Sequence, residues 1–153
     1  MLDAIHEALW TNHRINMMLL DAISDDGLAA TLSTRGGRGV AGQFAHMHNV
    51  RRSHLERRGK GLHEDLVKFA AKEVPDRGAI RAAHEASTER LVALFDGIEA
   101  GTMRSMKKGP VVYLSYFVAH EAHHRGSILL TVKTSGHPVD KDTRFAIWDW
   151  GRA

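Results

Sequence analysis

The chain has 153 residues, of which 43% are hydrophobic and 25% charged, with a formal net charge of +3 and no cysteine. This composition excludes an intrinsically disordered chain or a fibrous repeat, and we expect a single domain over residues 1–153. The absence of cysteine excludes disulfides, thiolate metal sites and a cysteine nucleophile. The N-terminus lacks signal-peptide features and no apolar run could span a bilayer, so we expect a cytoplasmic protein.

The predicted elements are helices from the start of the chain. Apolar residues recur at helical spacing over residues 3–24, and Asp25 and its two successors end this first helix. A glycine-rich loop over residues 33–39 leads to a second helix over residues 40–58, which Gly59 closes. Residues 63–72 have room for a turn or two of helix before Pro75 interrupts the chain.

The second half of the chain continues the helical pattern. A third long helix is predicted over residues 76–101, and a fourth opens at Pro110 and ends at residue 134, with Gly136 as its cap. A short final helix is expected over residues 143–150. Its apolar side chains are expected to plug the bundle: Phe145, Ile147, Trp148 and Trp150. The predicted fold class is therefore all-α, a four-helix bundle with a short C-terminal helix.

The eleven histidines are the unusual feature of the composition, since imidazole is the commonest protein ligand for metals. His120 and His124 are four residues apart in the most apolar helix, so their side chains project from one face. That face continues to Tyr116 and Ile128, which predicts a core-directed stripe. Burying an unsatisfied polar group costs about 1–3 kcal/mol, and one shared metal ion would satisfy both rings.

The second helix offers a third imidazole. Apolar residues flank His46, which favours an inward orientation, whereas His48 is expected near the surface because it lies two residues further on. Together, His46, His120 and His124 would make a three-imidazole site with an open coordination position. Zinc in such a site lowers the pKa of bound water to about 7.

The alternative for any of these residues is a hydrogen-bonded histidine without a ligand, and the His120–His124 pair alone leaves both interpretations equally open. The other histidines have no comparable arrangement and are expected on the surface or on helix faces: His6, His13, His54, His63, His84 and His137. His123 lies one position off the face of the pair and is a candidate for contact with the ligands or with an interface. Glu121 diverges from His120 by about 100°, and we expect it at the surface or at an interface, paired with Arg125.

His120, Glu121 and His124 also fit the His-Glu-x-x-His helix of zinc proteases, in which glutamate is the general base. The positions that would extend this motif hold Ser127 and Leu130 instead of glycine and histidine. No later glutamate follows in the chain, and no strand is predicted that could bind an extended peptide. The protease interpretation is therefore not favoured.

Four motifs, in their order and spacing, resemble those of the DinB/YfiT-like family of metalloenzymes. They are FAHMHNVR (44–51), HEAHHRG (120–126), GHP (136–138) and IWDW (147–150), so the likeness covers nearly the whole chain. The resemblance implies a four-helix bundle, often a homodimer, with metal ligands at His46, His120 and His124. It implies zinc, nickel or another divalent ion, and some relatives use low-molecular-weight thiols in S-transferase or isomerase reactions. Family members often carry glutamine where this chain has Ser127, a difference that would either remove an amide that supports the ligands or alter the pocket, and that leaves the three ligands intact.

The leading functional hypothesis is a divalent-metal-dependent enzyme that acts on a small molecule through metal-activated water or thiol, as a hydrolase or a thiol S-transferase. Tyr116, one turn before His120, and Asn49, three residues after His46, are candidate pocket residues. One alternative is a non-catalytic metal-binding stress-response protein. Another is a nucleic-acid-binding protein, because residues 51–60 hold a basic cluster, although a solvated helix face is the more ordinary explanation of such a cluster.

Overall fold

The computed structural model describes residues 1–104, 106–151 and 153, and all regular structure in this part of the chain is helical. The helices are α1 (Leu2–Ala22), α2 (Asp25–Ala29), α3 (Val40–Arg58), α4 (Arg77–Glu99), α5 (Pro110–Thr134) and α6 (Lys141–Ala146). The prediction of an all-α bundle with a short C-terminal helix is confirmed. None of the helices in the described ranges is long and apolar enough to cross a membrane.

The four long helices form a closed ring, in which α1 packs against α4 and α5, and α3 packs against the same two helices. His6 Nε2 near the start of α1 lies 2.8 Å from Asp96 Oδ1 near the end of α4. At the other end of the same pair, Arg81 near the start of α4 forms an ion pair with Asp21 near the end of α1. Helices α1 and α4 are therefore antiparallel.

Two hydrophobic clusters at opposite ends of the bundle show how the other helices run. The first joins the end of α1, the starts of α3 and α4 and the end of α5, with members that include Leu19, Phe44, Ile80 and Ile128. The second joins the opposite ends of the same helices, with members that include Leu9, Leu55, Leu91 and Phe117. Helices α1 and α5 therefore run in one direction, and α3 and α4 run in the other.

The parallel direction of α3 and α4 explains the long connection between them, residues 59–76, which we call the return segment. The chain must travel back along α3, whose 19 residues span about 28 Å. The Asn49 side chain of α3 anchors this segment, since its amide donates to the Phe69 carbonyl at 2.9 Å and accepts from the Phe69 N–H at 3.1 Å. The helical turn or two predicted over residues 63–72 is wrong, because the segment consists of turns and irregular chain whose backbone bonds partly to side chains of α3.

Hydrogen bonds at the helix ends explain where α5 stops and why α2 exists. Gly136 adopts a φ of 84°, and the His137 N–H donates to the Val132 carbonyl at 2.8 Å, which is the glycine-dependent ending that the sequence predicted. The expectation that residues 25–27 only end the first helix is wrong. Ser24 Oγ accepts from the Gly27 N–H at 3.1 Å and caps a new short helix, α2.

The C-terminal tail contradicts part of its predicted role as a plug. Ile147 is 4% exposed and belongs to the first hydrophobic cluster, whereas Phe145 is 67% and Trp148 74% exposed. Trp150 is 38% exposed. Because neighbouring positions on a helical turn point in different directions, the turn that buries Ile147 leaves the adjacent aromatic rings outside.

Candidate metal centre

Three imidazoles meet on the flank of the bundle, where α3 packs against α5. His46 comes from α3, and His120 and His124 come from α5, with one possible ligand nitrogen of each within 4.8 Å of the others. The ring centroid of His46 lies 5.3 Å from that of His120 and 4.9 Å from that of His124, and the centroids of the two α5 rings are 4.6 Å apart. The structure thus brings together the three histidines that the sequence selected, which we call the histidine triad.

The histidine triad lies at the rim of the core, which differs from the predicted core-directed stripe. All three residues are half-buried, while the buried face of α5 runs through Phe117, Glu121 and Ile128. The buried line of α5 is therefore displaced by one position, or about 100°, from the line that carries the histidines. As a result, the triad is partly accessible, as a site that takes an exchangeable ligand must be.

The surroundings keep the triad uncharged at neutral pH. Burial lowers the pKa of His46 to about 4, and the charge of Arg38 and the nearby His120 add to this effect. Burial also lowers the pKa of His124 to about 4, with further contributions from His120 and His46. The pKa of His120 is lowered by burial as well. Neutral imidazole has the free lone pair that a metal ion requires, so the rings are in their ligand form at neutral pH.

The hydrogen bonding of the triad is also consistent with a metal site. His124 Nδ1 lies 3.3 Å from Oε1 of the buried Gln43, and metal-ligating histidines commonly donate their second ring N–H to such an oxygen. His120 Nδ1 is buried and has no hydrogen-bond partner among the described residues. Three neutral imidazoles, one of them braced by an amide, fit zinc, nickel or another divalent ion that prefers nitrogen ligands. The sequence pattern did not identify Gln43 as a partner of the triad, although this residue lies one turn before His46 on the same helix.

The two candidate pocket residues occupy different positions around the triad. The Tyr116 ring stacks on His120, with centroids 5.8 Å apart and planes inclined by 14°. Asn49 lines a cavity of about 230 Å³ together with His46 and Arg38. Because the Asn49 amide is occupied by the backbone of Phe69, this residue holds the cavity wall in place and offers little free hydrogen-bonding capacity to a ligand.

Glu121 contradicts its predicted surface position, since it is 0% exposed. Arg51 of α3 donates from Nε and Nη2 to the two carboxylate oxygens at 2.6 and 2.7 Å. Asn12 and Asn16 of α1 each donate to Oε2 at 2.6 Å. Burial alone would raise the pKa of Glu121, but the charge and hydrogen bonds of Arg51 outweigh it and hold the pKa below its usual range.

The predicted direct pairing of Glu121 with Arg125 is not formed, because Arg125 Nη1 donates to the side-chain oxygens of Asn12 and Asn16 at 2.8 and 2.7 Å. Burial lowers the pKa of Arg125, and the nearby charge of Glu121 opposes this effect. Arg51 Nη1 extends the network to α4 by donating to Thr88 Oγ1 at 2.8 Å. We call this network the buried polar layer; it consists of Asn12, Asn16, Arg51, Thr88, Glu121 and Arg125. It joins all four long helices. Because Glu121 is bonded within this layer, it is not free to act as the general base that the zinc-protease interpretation needs.

His48, which was expected near the surface, is buried, and so are His13 and His84, which were expected at the surface or on helix faces. His48 is 0% exposed and its Nε2 lies 2.8 Å from the Val67 carbonyl oxygen. His84 is also 0% exposed, with Nε2 at 2.9 Å from the Phe44 carbonyl oxygen. His13 is buried as well. An imidazole tolerates the interior when a ring N–H reaches a carbonyl, which the sequence pattern does not reveal.

Two further predictions depend on surface positions. His123 is exposed and packs edge-on against His124, with ring centroids 5.3 Å apart.

The basic cluster over residues 51–60 is only partly at the surface. Arg51 belongs to the buried polar layer, and Arg52 Nε donates to the Leu66 carbonyl at 3.1 Å. The cluster is therefore weaker as a surface than its sequence suggested, which reduces the support for nucleic-acid binding.

The fold and the site together define a class of protein: a helical bundle with a three-histidine group on its flank that could hold a metal ion. A family model described as DinB family matches residues 1–150. The chain therefore belongs to the DinB family, as the sequence motifs predicted. No curated protein and no solved structure shows significant similarity to it.

Proposed function

We propose that this protein is a divalent-metal-dependent enzyme that acts on a small molecule, with His46, His120 and His124 as its metal ligands. The observation that carries the proposal is the convergence of these three half-buried imidazoles within 4.8 Å of one another. Their lowered pKa values and the Gln43 oxygen beside His124 support it. Membership of the DinB family supports it independently.

A divalent ion held by three imidazoles supplies a Lewis acid that lowers the pKa of water or a thiol, so that either becomes nucleophilic at neutral pH. The chain itself supplies orientation and access. Gln43 fixes the ring of His124, and Tyr116 covers one side of His120. The cavity beside His46 has room for a small molecule. These features suit a hydrolase or a low-molecular-weight-thiol S-transferase, with zinc or nickel as the metal.

Metal content tests the ligand assignment. Tag-free wild-type protein is compared by elemental analysis with His124→Ala and with His123→Ala, a control that removes an exposed imidazole next to the site. We expect near-stoichiometric zinc or nickel in the wild type and in the control, and loss of the metal in His124→Ala. Equal metal content in both variants, or none in the wild type after zinc and nickel are supplied, would contradict the assignment.

Activity is tested on the same three proteins after metal loading. Hydrolysis of p-nitrophenyl acetate and conjugation of cysteine to chlorodinitrobenzene represent the two reaction types. We expect one of them to depend on the metal and to be lost in His124→Ala but kept in His123→Ala. Metal binding without either reaction would favour the alternative, a non-catalytic metal-binding protein.

The homodimer that the family resemblance implies stays a prediction, which light scattering of the purified protein will test.

A further inference from the structure

We propose that the cavity at the start of α5 is an oxyanion-binding subsite, which takes the carboxylate or phosphate group of a small-molecule ligand. The cavity has a volume of about 280 Å³, and its lining residue Tyr116 stacks on His120 of the histidine triad. We call it the anion cavity; it is lined by His54, Arg58, Met106, Lys107, Lys108, Gly109, Val112, Tyr113 and Tyr116. That a substrate of the metal site binds in this cavity rests on the proposed function, whereas the binding of an anion can be tested without it.

The charge of the anion cavity is of one sign. Arg58, Lys107 and Lys108 line it, and none of its described lining residues is acidic. By contrast, several arginines elsewhere on the surface are matched with carboxylates, as in the pairs that Arg77 and Arg90 form with aspartates. A concave surface with unbalanced positive charge attracts small anions, because the low-dielectric walls concentrate the field.

Arg58 lines the anion cavity and is held against the ring of Tyr113. Its guanidinium carbon lies 5.3 Å from the centroid of the Tyr113 ring, which restricts the side chain through a cation–π contact. The Tyr113 hydroxyl and His54 Nδ1 share a hydrogen bond. Burial lowers the pKa of His54 to about 4, with a smaller contribution from the charges of Arg57 and Arg58. His54 is therefore neutral, and the positive charge of the cavity comes from the arginine and the two lysines.

Tyr116 connects the anion cavity to the histidine triad. Its ring lines the cavity and also stacks on His120. Because the cavity lysines precede α5 and Val112 lies eight residues before His120 on that helix, an anion in the cavity and the open side of the triad are separated by roughly 10–15 Å. This distance suits an elongated organic anion whose charged group lies in the cavity and whose apolar middle crosses the tyrosine ring. The substrate class inferred for the site is therefore an elongated carboxylate or phosphate ester.

The binding test removes the charge of two lysines and keeps the rest of the cavity. The variant Lys107→Ala/Lys108→Ala is compared with the wild type and with Lys133→Ala/Lys141→Ala, which removes the same charge near the other end of α5. Inorganic phosphate and succinate are titrated into each full-length protein at low salt by calorimetry. We expect binding to the wild type and the control, and affinity about tenfold weaker in Lys107→Ala/Lys108→Ala, as for the loss of one charge-assisted hydrogen bond.

A fourth protein, His124→Ala, separates this inference from the proposed function. Phosphate and succinate affinity that persists in His124→Ala supports a subsite distinct from the triad, even if no metal is ever bound. If affinity is lost in His124→Ala but kept in Lys107→Ala/Lys108→Ala, the anion binds at the triad and the inference is overturned. No binding of either probe, or a short DNA oligonucleotide that binds much more tightly than phosphate, would also overturn it.

Discussion

The histidine triad and the buried polar layer use neighbouring residues of the same two helices, yet their polar atoms are satisfied in opposite ways. Helix α5 contributes His120 to the triad and Glu121 to the layer. In the layer, Glu121 accepts hydrogen bonds from Arg51 and from two asparagines. In the triad, the rings are half-buried, and within the described ranges His120 Nδ1 has no partner. The polar atoms of the layer have partners within the protein, whereas the triad is a group of imidazoles that could hold a metal ion.

The buried polar layer and the histidine triad are also structurally coupled, because both are carried by α3 and α5. The Arg51–Glu121 ion pair crosses from α3 to α5, and we infer that it sets the rotation of both helices about their axes. Because neighbouring helical residues diverge by about 100°, a rotation that buries Glu121 places His120 at the rim. The same rotation of α3 brings His46 to face His120, with ring centroids 5.3 Å apart. The buried polar layer therefore positions the triad without contributing a ligand.

The largest expected effect comes from breaking the buried polar layer. Glu121→Gln keeps the side-chain volume but leaves the Arg51 guanidinium buried without its counter-charge. Removal of one partner of a buried ion pair costs about 3–5 kcal/mol, and we expect a loss of unfolding free energy in this range, measured by urea denaturation of metal-free protein. Glu89→Gln, at an exposed position on α4, is the control and should change stability by less than about 0.5 kcal/mol.

A double variant sharpens the same comparison. In Arg51→Met/Glu121→Leu neither charge of this pair is left alone, and Arg125 keeps its hydrogen bonds to Asn12 and Asn16. The combined loss of stability should therefore be smaller than the sum of the two single losses. Additive losses would show that the two side chains stabilise the bundle independently and that the ion pair is not what sets the helix rotation.

A second prediction concerns pH, because the interior holds neutral histidines. Burial and the charge of Arg51 lower the pKa of His84 to about 3 from its ordinary value of 6.5, against the opposing effects of Glu121 and the Phe44 carbonyl. The unfolded chain therefore takes up this proton at higher pH than the folded one. The resulting stability is fully present above pH 6.5 and is lost as the pH falls toward 3, with a slope of up to about 1.4 kcal/mol per pH unit.

The contribution of His84 is measured by urea denaturation at several pH values in this window, with wild type and His84→Gln side by side and without metal. Glutamine can still donate to the Phe44 carbonyl but does not titrate. We expect a flatter pH dependence in the variant, with the remaining slope due to the other buried histidines, including His13 and His48. Parallel profiles would contradict a role for His84 in acid sensitivity.

The smallest expected effect comes from the triad in metal-free protein. His46 is half-buried, so His46→Ala should change the unfolding free energy by less than about 1 kcal/mol. Added zinc should then separate the two proteins. At a hundred times its dissociation constant, a bound ligand stabilises the native state by about 2.7 kcal/mol, and only the wild type should gain this. Equal stabilisation of both proteins by zinc would show that the metal binds elsewhere.

The helical pattern of the sequence was sufficient for the fold class and for most helix boundaries. Helix α3 spans Val40–Arg58 and α5 ends at Thr134, as predicted, because glycine and proline act locally on the backbone. Residues 63–72 were predicted less well, because the return segment bonds to side chains of α3, which are distant in sequence. The direction of α3 relative to α4 also depended on packing that no local pattern encodes.

What the sequence by itself determined is the identity and spacing of the triad histidines and the family to which they point, since residues four apart on a helix must share a face. Only the tertiary structure decided which polar residues are buried. Glu121 and His48 were expected outside and lie fully inside, because their hydrogen-bond partners come from other parts of the chain. The burial of a polar side chain depends on partners that long-range packing supplies, and those partners are not visible in the local sequence.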